Sequence, residues 1–103
     1  MKLDFEKGNG LIPAIIQEIE TDEVLMLGFM NGEAFEKTKA TQNVWFFSRT
    51  KNRLWMKGEE SGNKLEVREI FVDCDTDTIL VKVELLGDAV CHTGNKTCFF
   101  TKL

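Results

Sequence analysis

What the sequence lacks narrows the classes of protein to which it can belong. No apolar run approaches the roughly 20 residues that a membrane-spanning helix needs. The first ten residues, MKLDFEKGNG, carry no apolar stretch of the kind found in a secretory signal peptide. We therefore expect a cytoplasmic protein that has no membrane partner.

Positive charge is also scarce. The chain has 13 Lys and Arg residues against 17 Asp and Glu residues, which gives a net charge of −4 at pH 7. General binding of nucleic acid rests on neutralising many phosphates, so this balance argues against a nucleic-acid partner. A small phosphorylated ligand is still compatible with it, because a local basic patch or a bridging metal ion is sufficient.

Soft metal ligands are few, since the chain has three cysteines and one histidine. Cys74, Cys91 and Cys98 are 17 and 7 residues apart, so they form no Cys-x-x-Cys pair and no zinc finger. An odd count in a reducing compartment argues against a disulfide framework and leaves two interpretations, buried small apolar residues or reactive thiolates. Three thiolates on one Zn²⁺ would leave a fourth position for water, as in catalytic zinc sites. Beside such a water, His92 would be a suitable general base.

The length of 103 residues, with no linker or repeat, predicts a single domain, residues 1–103. Hydrophobic patterns predict one short helix, residues 32–40, and six or seven strands: 11–20, 23–30, 43–50, 53–58, 64–72, 78–86 and 97–103. These elements favour a mainly β fold of the β-rich α+β class. We expect a mainly antiparallel sheet that curls into a half-barrel, with the helix covering part of it.

Two local patterns make this prediction more specific. Asn31 is expected to cap the helix, and the narrow apolar face of the helix is expected to consist of Ala34, Phe35 and Thr38. In the strand 64–72, the alternation predicts one inward face, and its members would be Leu65, Val67 and Phe71.

Three aspartates follow that strand in the segment VDCDTD. In an extended chain, Asp73, Asp75 and Asp77 would point to one side and Cys74 to the other. No Lys or Arg lies among them, and a hard cation such as Mg²⁺ or Ca²⁺ would relieve their repulsion. An exposed acidic turn is the alternative. An EF-hand loop is rejected, because Thr78 takes the position that requires glycine and a strand pattern follows.

A basic stretch interrupts this acidic chain at Ser48, Arg49, Lys51, Arg53 and Lys57. Arg and Lys recognise phosphate, and Trp45 or Trp55 could stack on a base. A solvated strand face with core tryptophans explains each of these residues when it is taken singly. Together with a hard-metal site and a zinc-activated water, the stretch favours hydrolysis of a nucleotide.

At this point the sequence resembles a known family, phosphoribosyl-AMP cyclohydrolase, which opens the purine ring of N1-(5-phosphoribosyl)-AMP in histidine biosynthesis. The resemblance spans nearly the whole chain and rests on four motifs in order: VLMLGFMNGEAFEKT (24–38), FFSRTKNRLWMKGEESGN (46–63), DCDTDT (73–78) and CHTGNKTCFF (91–100).

The resemblance implies two metal sites and an assembly. The implied zinc ligands are Cys74, Cys91 and Cys98, and the implied magnesium ligands are Asp73, Asp75 and Asp77. The implied assembly is an intertwined homodimer, in which Cys74 of one subunit joins the other two cysteines of its partner. The substrate-binding residues that the resemblance implies are Ser48, Arg49, Trp55, Lys57, Gly58, Glu59, Ser61 and Gly62.

The implied reaction is attack on C6 of the adenine ring by a zinc-activated water that His92 helps to deprotonate. Magnesium, Arg49 and Lys57 are expected to hold the substrate phosphates. The chain ends at Leu103, which implies a standalone cyclohydrolase rather than a fusion with a pyrophosphohydrolase domain.

Departures from the family pattern are few. Glu60 and Thr50 replace a usual threonine and serine, and Lys96-Thr97 replaces a frequent Arg-Ser. None of them removes a metal ligand, but Glu60 brings into question a hydroxyl contact at that position. The alternative to an enzyme is a non-enzymatic dimer that binds zinc and calcium, in which His92 would close the zinc site.

Overall fold

The computed structural model describes residues 2–103 and has a mainly β architecture with one α-helix, as predicted. In chain order the elements are a 3₁₀ helix Glu6–Gly8, β1 Ile12–Glu18, β2 Val24–Met30, α1 Gly32–Thr41, β3 Trp45–Ser48, β4 Arg53–Met56, β5 Lys64–Val72 and β6 Ile79–Leu86. The strand predicted at 97–103 is wrong, since these residues form no strand and Phe99 and Phe100 are exposed. The ten-residue α1 is too short to cross a membrane, and no other helix of the described chain could do so.

The predicted mainly β, unclosed architecture is confirmed, and its strands are divided between two sheets. Four strands lie in the order β2-β1-β6-β5, and β3 pairs with β4 in a separate hairpin. The outer pairs β1–β2 and β5–β6 are antiparallel, whereas the central pair β1–β6 is parallel, which the long stretch of chain between these two strands permits. The hairpin packs on β2, where a Cβ on Gly28 would lie 2.5 Å from the Phe46 ring.

The core lies between the inner face of the large sheet, the β3–β4 hairpin and α1. Alternate residues of β1 and β6 are buried there: Ile12, Ala14, Ile16, Ile79, Val81 and Val83. The cap of α1 is as predicted, since the Asn31 side chain accepts a hydrogen bond from the Ala34 N–H at 2.8 Å. Its inward face is also as predicted, with Ala34 and Thr38 buried and Phe35 packed against the core.

The inward face of β5 differs from the prediction at Phe71. The pairing of β5 with β6 shifts register between Val67 and Glu69, so the side chains beyond this bulge exchange faces. Phe71 is therefore 48% exposed, and Ile70 and Val72 pack against the core in its place.

The bulge completes an apolar row on the outer face of the large sheet. The pairings align Leu27 with Ile15, Ile15 with Leu80, and Leu80 with Phe71, one residue from each strand. The end residues Leu27 and Phe71 are 44% and 48% exposed. The middle residues Ile15 and Leu80 are half-buried, so the row leaves apolar surface partly open to water, as at sites of protein interaction.

Candidate active site

One cavity of about 690 Å³ opens between the β3–β4 hairpin and the two loops 57–63 and 87–98. Nine of the predicted site residues line it: Ser48, Trp55, Lys57, Gly58, Glu59, Ser61, Cys91, His92 and Cys98. They come from three separate segments of the sequence. The cavity also carries Lys51 and Arg53, so the basic stretch faces it along most of its length.

Two predicted binding residues lie outside this cavity. Arg49 lines an adjacent depression of about 220 Å³, and its guanidinium lies 4.1 Å from the centre of the Phe29 ring. The two cavities share Ser48 and Trp55 in their walls. Gly62 contributes to the shape of its loop, where its N–H donates to the Gly58 carbonyl at 2.9 Å and its φ is 81°.

Glycine and Glu59 shape the loop 57–63. Gly58 has a φ of 87°, and a Cβ on it would lie 2.6 Å from the backbone of Asn63, so no other residue fits without strain. The Glu59 carboxylate accepts from the Met56 N–H at 2.8 Å and lies 3.7 Å from Arg53 Nη1. Glu59 thus fixes the end of β4 while it faces the cavity.

A tight turn presents the first cysteine of the loop 87–98. The Cys91 N–H donates to the Asn95 carbonyl at 3.1 Å, and the Gly94 N–H donates to the Cys91 carbonyl at 3.0 Å. The Thr93 hydroxyl donates to Cys91 Sγ at 3.1 Å, and it accepts from Asn95 Nδ2 at 2.8 Å. Because the Asn95 side-chain amide donates to the oxygen of the Thr93 hydroxyl, the hydrogen of that hydroxyl is directed to the sulfur of Cys91.

The pKa values of the two cysteine thiols in this loop are shifted in opposite directions. Hydrogen bonds from Thr93, first its hydroxyl and then its backbone, hold the pKa of the Cys91 thiol below its usual value. Partial removal from water, followed by the neighbouring Cys91, raises the pKa of Cys98. Such a pair deprotonates in steps, with Cys91 first. His92 lies at the same edge, with Nδ1 4.0 Å from Cys91 Sγ.

The far end of the loop is fastened to the β1–β2 hairpin. Lys96 Nζ lies 2.7 Å from Glu18 Oε1 and 3.1 Å from Glu23 Oε1. The Thr97 hydroxyl donates to the Val24 carbonyl at 2.8 Å, and the Cys98 N–H donates to the Leu25 carbonyl at 2.8 Å. Lys96 and Thr97, which depart from the frequent Arg-Ser pair, therefore both anchor the loop.

The three aspartates form a second cluster away from this cavity. Their carboxylate oxygens lie within 4.8 Å of one another, the one such group of three or more potential metal ligands in residues 2–103. The segment is a turn between β5 and β6 rather than an extended chain, with Thr76 at φ 63°, so the predicted alternation is wrong. The carboxylates converge because the turn folds back, and Asp73 Oδ1 accepts from the backbone N–H groups of Asp77 and Thr78 at 3.0 and 3.2 Å.

A lysine from the start of the chain enters this cluster. Lys7 Nζ lies 2.9 Å from Asp75 Oδ2 and 2.9 Å from Asp77 Oδ2. Its hydrogen bond, reinforced by one from Asp73, lowers the pKa of Asp77 to about 2. Desolvation in the turn, together with Asp77, raises the pKa of Asp73. The sequence gives no sign of this pairing, since 68 residues separate Lys7 from Asp75.

Comparison with known proteins identifies the family. The sequence profile of the family described as phosphoribosyl-AMP cyclohydrolase matches residues 26–100. This chain belongs to that family. It is 57% identical over 102 residues to the phosphoribosyl-AMP cyclohydrolase of Geotalea uraniireducens, covering 99% of this chain and 82% of the relative. The family predicted from the four sequence motifs is thus confirmed.

A second relative has a longer chain. The histidine biosynthesis bifunctional protein HisIE of Bacteroides thetaiotaomicron is 63% identical over 102 residues, which cover 99% of this chain and 50% of that protein. A third, the phosphoribosyl-AMP cyclohydrolase of Geobacter sp. strain M21, is 54% identical over 102 residues, with 99% and 82% covered. The similarity therefore includes every segment that builds the cavity and the acidic turn.

The two groups of potential metal ligands in this cyclohydrolase-family chain differ in how well they fit magnesium and zinc, the two metals that the sequence resemblance implies. The aspartate cluster offers only carboxylate oxygens, the ligands that Mg²⁺ prefers. The cavity offers two thiols, Cys91 and Cys98, which suit zinc but leave a third ligand to be found. Cys74 is exposed and does not line the cavity, so the single chain does not assemble the three-cysteine set.

Proposed function

We propose that this protein hydrolyses the N1–C6 bond of N1-(5-phosphoribosyl)-AMP in histidine biosynthesis and gives the formimino-carboxamide ribonucleotide. The observation that carries the proposal is the cavity of about 690 Å³ where two thiols and the only histidine of the chain meet six of the eight predicted substrate-binding residues. A volume of about 690 Å³ lies within the range of about 300–1,000 Å³ of small-molecule sites.

The walls of the cavity suit a phosphorylated purine nucleotide. Lys51, Arg53 and Lys57 supply positive charge for phosphate, in a chain that is acidic overall. The Trp55 ring packs on Phe46 with centroids 5.1 Å apart, and the Lys57 ammonium lies 5.8 Å from the Trp55 ring. Trp55 lines the cavity, and its ring is the aromatic surface on which we propose that the purine stacks.

The thiols and the histidine supply the hydrolytic chemistry. Zinc held by Cys91 and Cys98, with a third thiol from Cys74, would activate a water for attack on C6. The role proposed for His92 is to accept the proton from that water, because its ring lines the cavity beside Cys91. The water oxygen becomes the carboxamide oxygen, and N1 leaves C6 with a proton while it keeps its phosphoribosyl group.

We propose that the third thiol comes from a second copy of the chain. Cys74 follows Phe71 by three residues, and Phe71 ends the exposed apolar row on the outer face of the sheet. A partner that covers this row removes Leu27 and Phe71 from water and comes close to Cys74. The intertwined homodimer, magnesium at the aspartates and the cytoplasmic location likewise stay predictions.

The test of the enzyme is an absorbance assay with phosphoribosyl-AMP, run with and without a chelator. Cys91→Ser is expected to lose bound zinc and turnover together, and circular dichroism checks that the variant is folded. An active, zinc-free Cys91→Ser protein would overturn the zinc mechanism. Metal-loaded wild-type protein that leaves the substrate unchanged would instead favour a non-enzymatic metal-binding dimer.

The test of the shared site is complementation between two inactive variants. Unfolding and refolding a mixture of Cys74→Ser and Cys91→Ser is expected to restore roughly a quarter of wild-type activity, because half of the randomly paired dimers carry one intact site of two. Each variant refolded alone is the control. A mixture as inactive as its components would show that Cys74 does not act across subunits.

A further inference from the structure

The first residues of the described chain lie over the acidic turn. The Asp4 N–H donates to the Thr76 carbonyl at 2.8 Å, which joins the segment to the middle of the turn. Leu3 and Phe5 pack against the core, and the Phe5 ring lies 6.4 Å from the Phe35 ring of α1. Residues 3–10, which we call the N-terminal strap, are therefore held at both the turn and the helix.

The strap places one ammonium group between two carboxylates. The Lys7 N–H donates to Asp4 Oδ1 at 3.2 Å, which sets the start of the 3₁₀ helix. From there Lys7 Nζ lies 2.9 Å from an oxygen of Asp75 and 2.9 Å from an oxygen of Asp77. Both carboxylates belong to the cluster of three aspartates, each of which offers one oxygen within 4.8 Å of the others.

An ammonium and a divalent cation exclude each other at this cluster. A magnesium ion needs carboxylate oxygens at about 2.0–2.1 Å, which would bring it within direct repulsion of the Lys7 charge. The ammonium is tethered by a strap that the rest of the fold holds in place, so its local concentration at the turn is high.

We propose that Lys7 is a built-in counter-cation that competes with a divalent cation for Asp75 and Asp77, so that divalent binding releases the N-terminal strap from the acidic turn. This inference rests on the divalent site of the proposed function, although it does not depend on the reaction. Lys7 then sets the concentration of divalent cation at which the aspartates become occupied.

The decisive measurement is a calorimetric titration of chelator-treated protein with Mg²⁺, an ion that binds oxygen ligands and leaves thiols free. Lys7→Gln is expected to tighten Mg²⁺ binding about 3- to 10-fold, the range for loss of one or two exposed ion pairs. Lys2→Gln, at an exposed position of the same terminal region, is the matched control and should bind as the wild type does. A double variant that carries Lys7→Gln and Asp75→Asn should lose the gain in Mg²⁺ affinity that Lys7→Gln alone produces.

A second readout follows the strap itself. Hydrogen exchange at residues 4–10 of the wild type is expected to speed up when Mg²⁺ saturates the site. The deficit in Tm of Lys7→Gln relative to the wild type should shrink as Mg²⁺ is added, since the ion then neutralises the aspartates in both proteins.

The outcomes separate this inference from the proposed reaction. Equal Mg²⁺ affinity in the wild type and Lys7→Gln, or a strap whose exchange does not change, overturns the inference and leaves the reaction standing. A difference in affinity in a protein without cyclohydrolase activity supports the inference and overturns the reaction. If no Mg²⁺ binds to either protein, the competition and the proposed magnesium site both fail.

Discussion

The cysteine loop, residues 87–98, and the acidic turn, residues 73–78, concentrate reactive groups in different ways. The cysteine loop holds its thiols within a cavity through hydrogen bonds among its own residues, such as Thr93 to Cys91 at 3.1 Å. The acidic turn is largely exposed, and Lys7 from the first segment of the chain compensates part of its charge. Neighbours in sequence therefore set the environment of Cys91, whereas a residue distant in sequence compensates charge in the acidic turn.

The largest expected difference between the two regions is in zinc binding. Cys98→Ser should eliminate bound zinc and turnover, because it removes one of only two thiols in the cavity. Asp77→Asn should leave bound zinc nearly unchanged, since Asp77 does not line the cavity and the variant keeps Cys74, the proposed third thiol. Metal analysis of the two purified variants checks this. Loss of zinc from Asp77→Asn would mean that the carboxylates of the turn are needed to hold Cys74 in place.

The next largest effect is expected from the loop that completes the cavity. Gly58→Ala forces a Cβ to within 2.6 Å of the Asn63 backbone at a φ of 87°. We expect a loss of about 1–3 kcal/mol in the free energy of unfolding, from the positive φ together with the clash. Denaturant titration measures it. Gly62→Ala, also at positive φ but with open space around it, is the matched control and should lose less.

A moderate effect is expected from the hydroxyl beside Cys91. Thr93→Val removes the donor that stabilises the thiolate, so the pKa of Cys91 should rise toward its ordinary value. The rate of alkylation of this thiol near neutral pH should then fall, and its midpoint should move to higher pH. Zinc affinity should drop about 10-fold or more, as for other groups that support a metal ligand. Thr93→Ser, which keeps the hydroxyl, should behave like the wild type.

A smaller effect is expected from pH at the acidic turn. The pKa of Asp77 is lowered to about 2, so its pairing with Lys7 stabilises the fold above the ordinary carboxyl pKa of about 4. That contribution should be lost as the pH falls through about 4 toward 2. The Tm difference between the wild type and Lys7→Gln should accordingly be constant from neutral pH down to about 5 and vanish in strong acid. A difference that persists at pH 2 would argue for a packing role of the lysine.

The smallest effect is expected from Glu60, which lines the cavity where a threonine is usual in the family. Glu60→Thr removes a negative charge from a site proposed to bind phosphates. KM should fall a few-fold while kcat changes little, because screening by water keeps such exposed charges weak. Steady-state kinetics at low and high salt measures it, and the gain should shrink at high salt.

Much of the fold follows from local sequence signals. The hairpin 11–30, the Asn31 cap and the bounds of β5 are as the patterns predicted, because alternation and capping act over a few residues. The bulge after Val67 was missed, since β-branched and aromatic residues continue on both sides of it. The strand at 97–103 was predicted from its aromatic residues, but no partner strand is available to it.

The same division applies to the site. The motifs indicated nine residues that the fold brings to one cavity, and all nine come from the two motifs 46–63 and 91–100, which supply the β3–β4 hairpin and the two loops around it. Thr93 and Asn95 are in one of those motifs, but their role depends on a hydrogen-bond direction that a sequence pattern does not express. The pairing of Lys7 with the aspartates depends on how the strap crosses the molecule, and no spacing rule covers it.

The fastening of the cysteine loop to β2 also bears on the behaviour of the protein in concentrated solution. β2 is at one edge of the four-stranded sheet, and Thr97 and Cys98 occupy the carbonyls of Val24 and Leu25 on it. An unpaired strand edge is a template for another chain, so the loop protects against edge-to-edge aggregation. Removal of the zinc proposed at Cys91 and Cys98 should then reduce shelf life as well as activity, and light scattering of chelated protein over days would follow that loss.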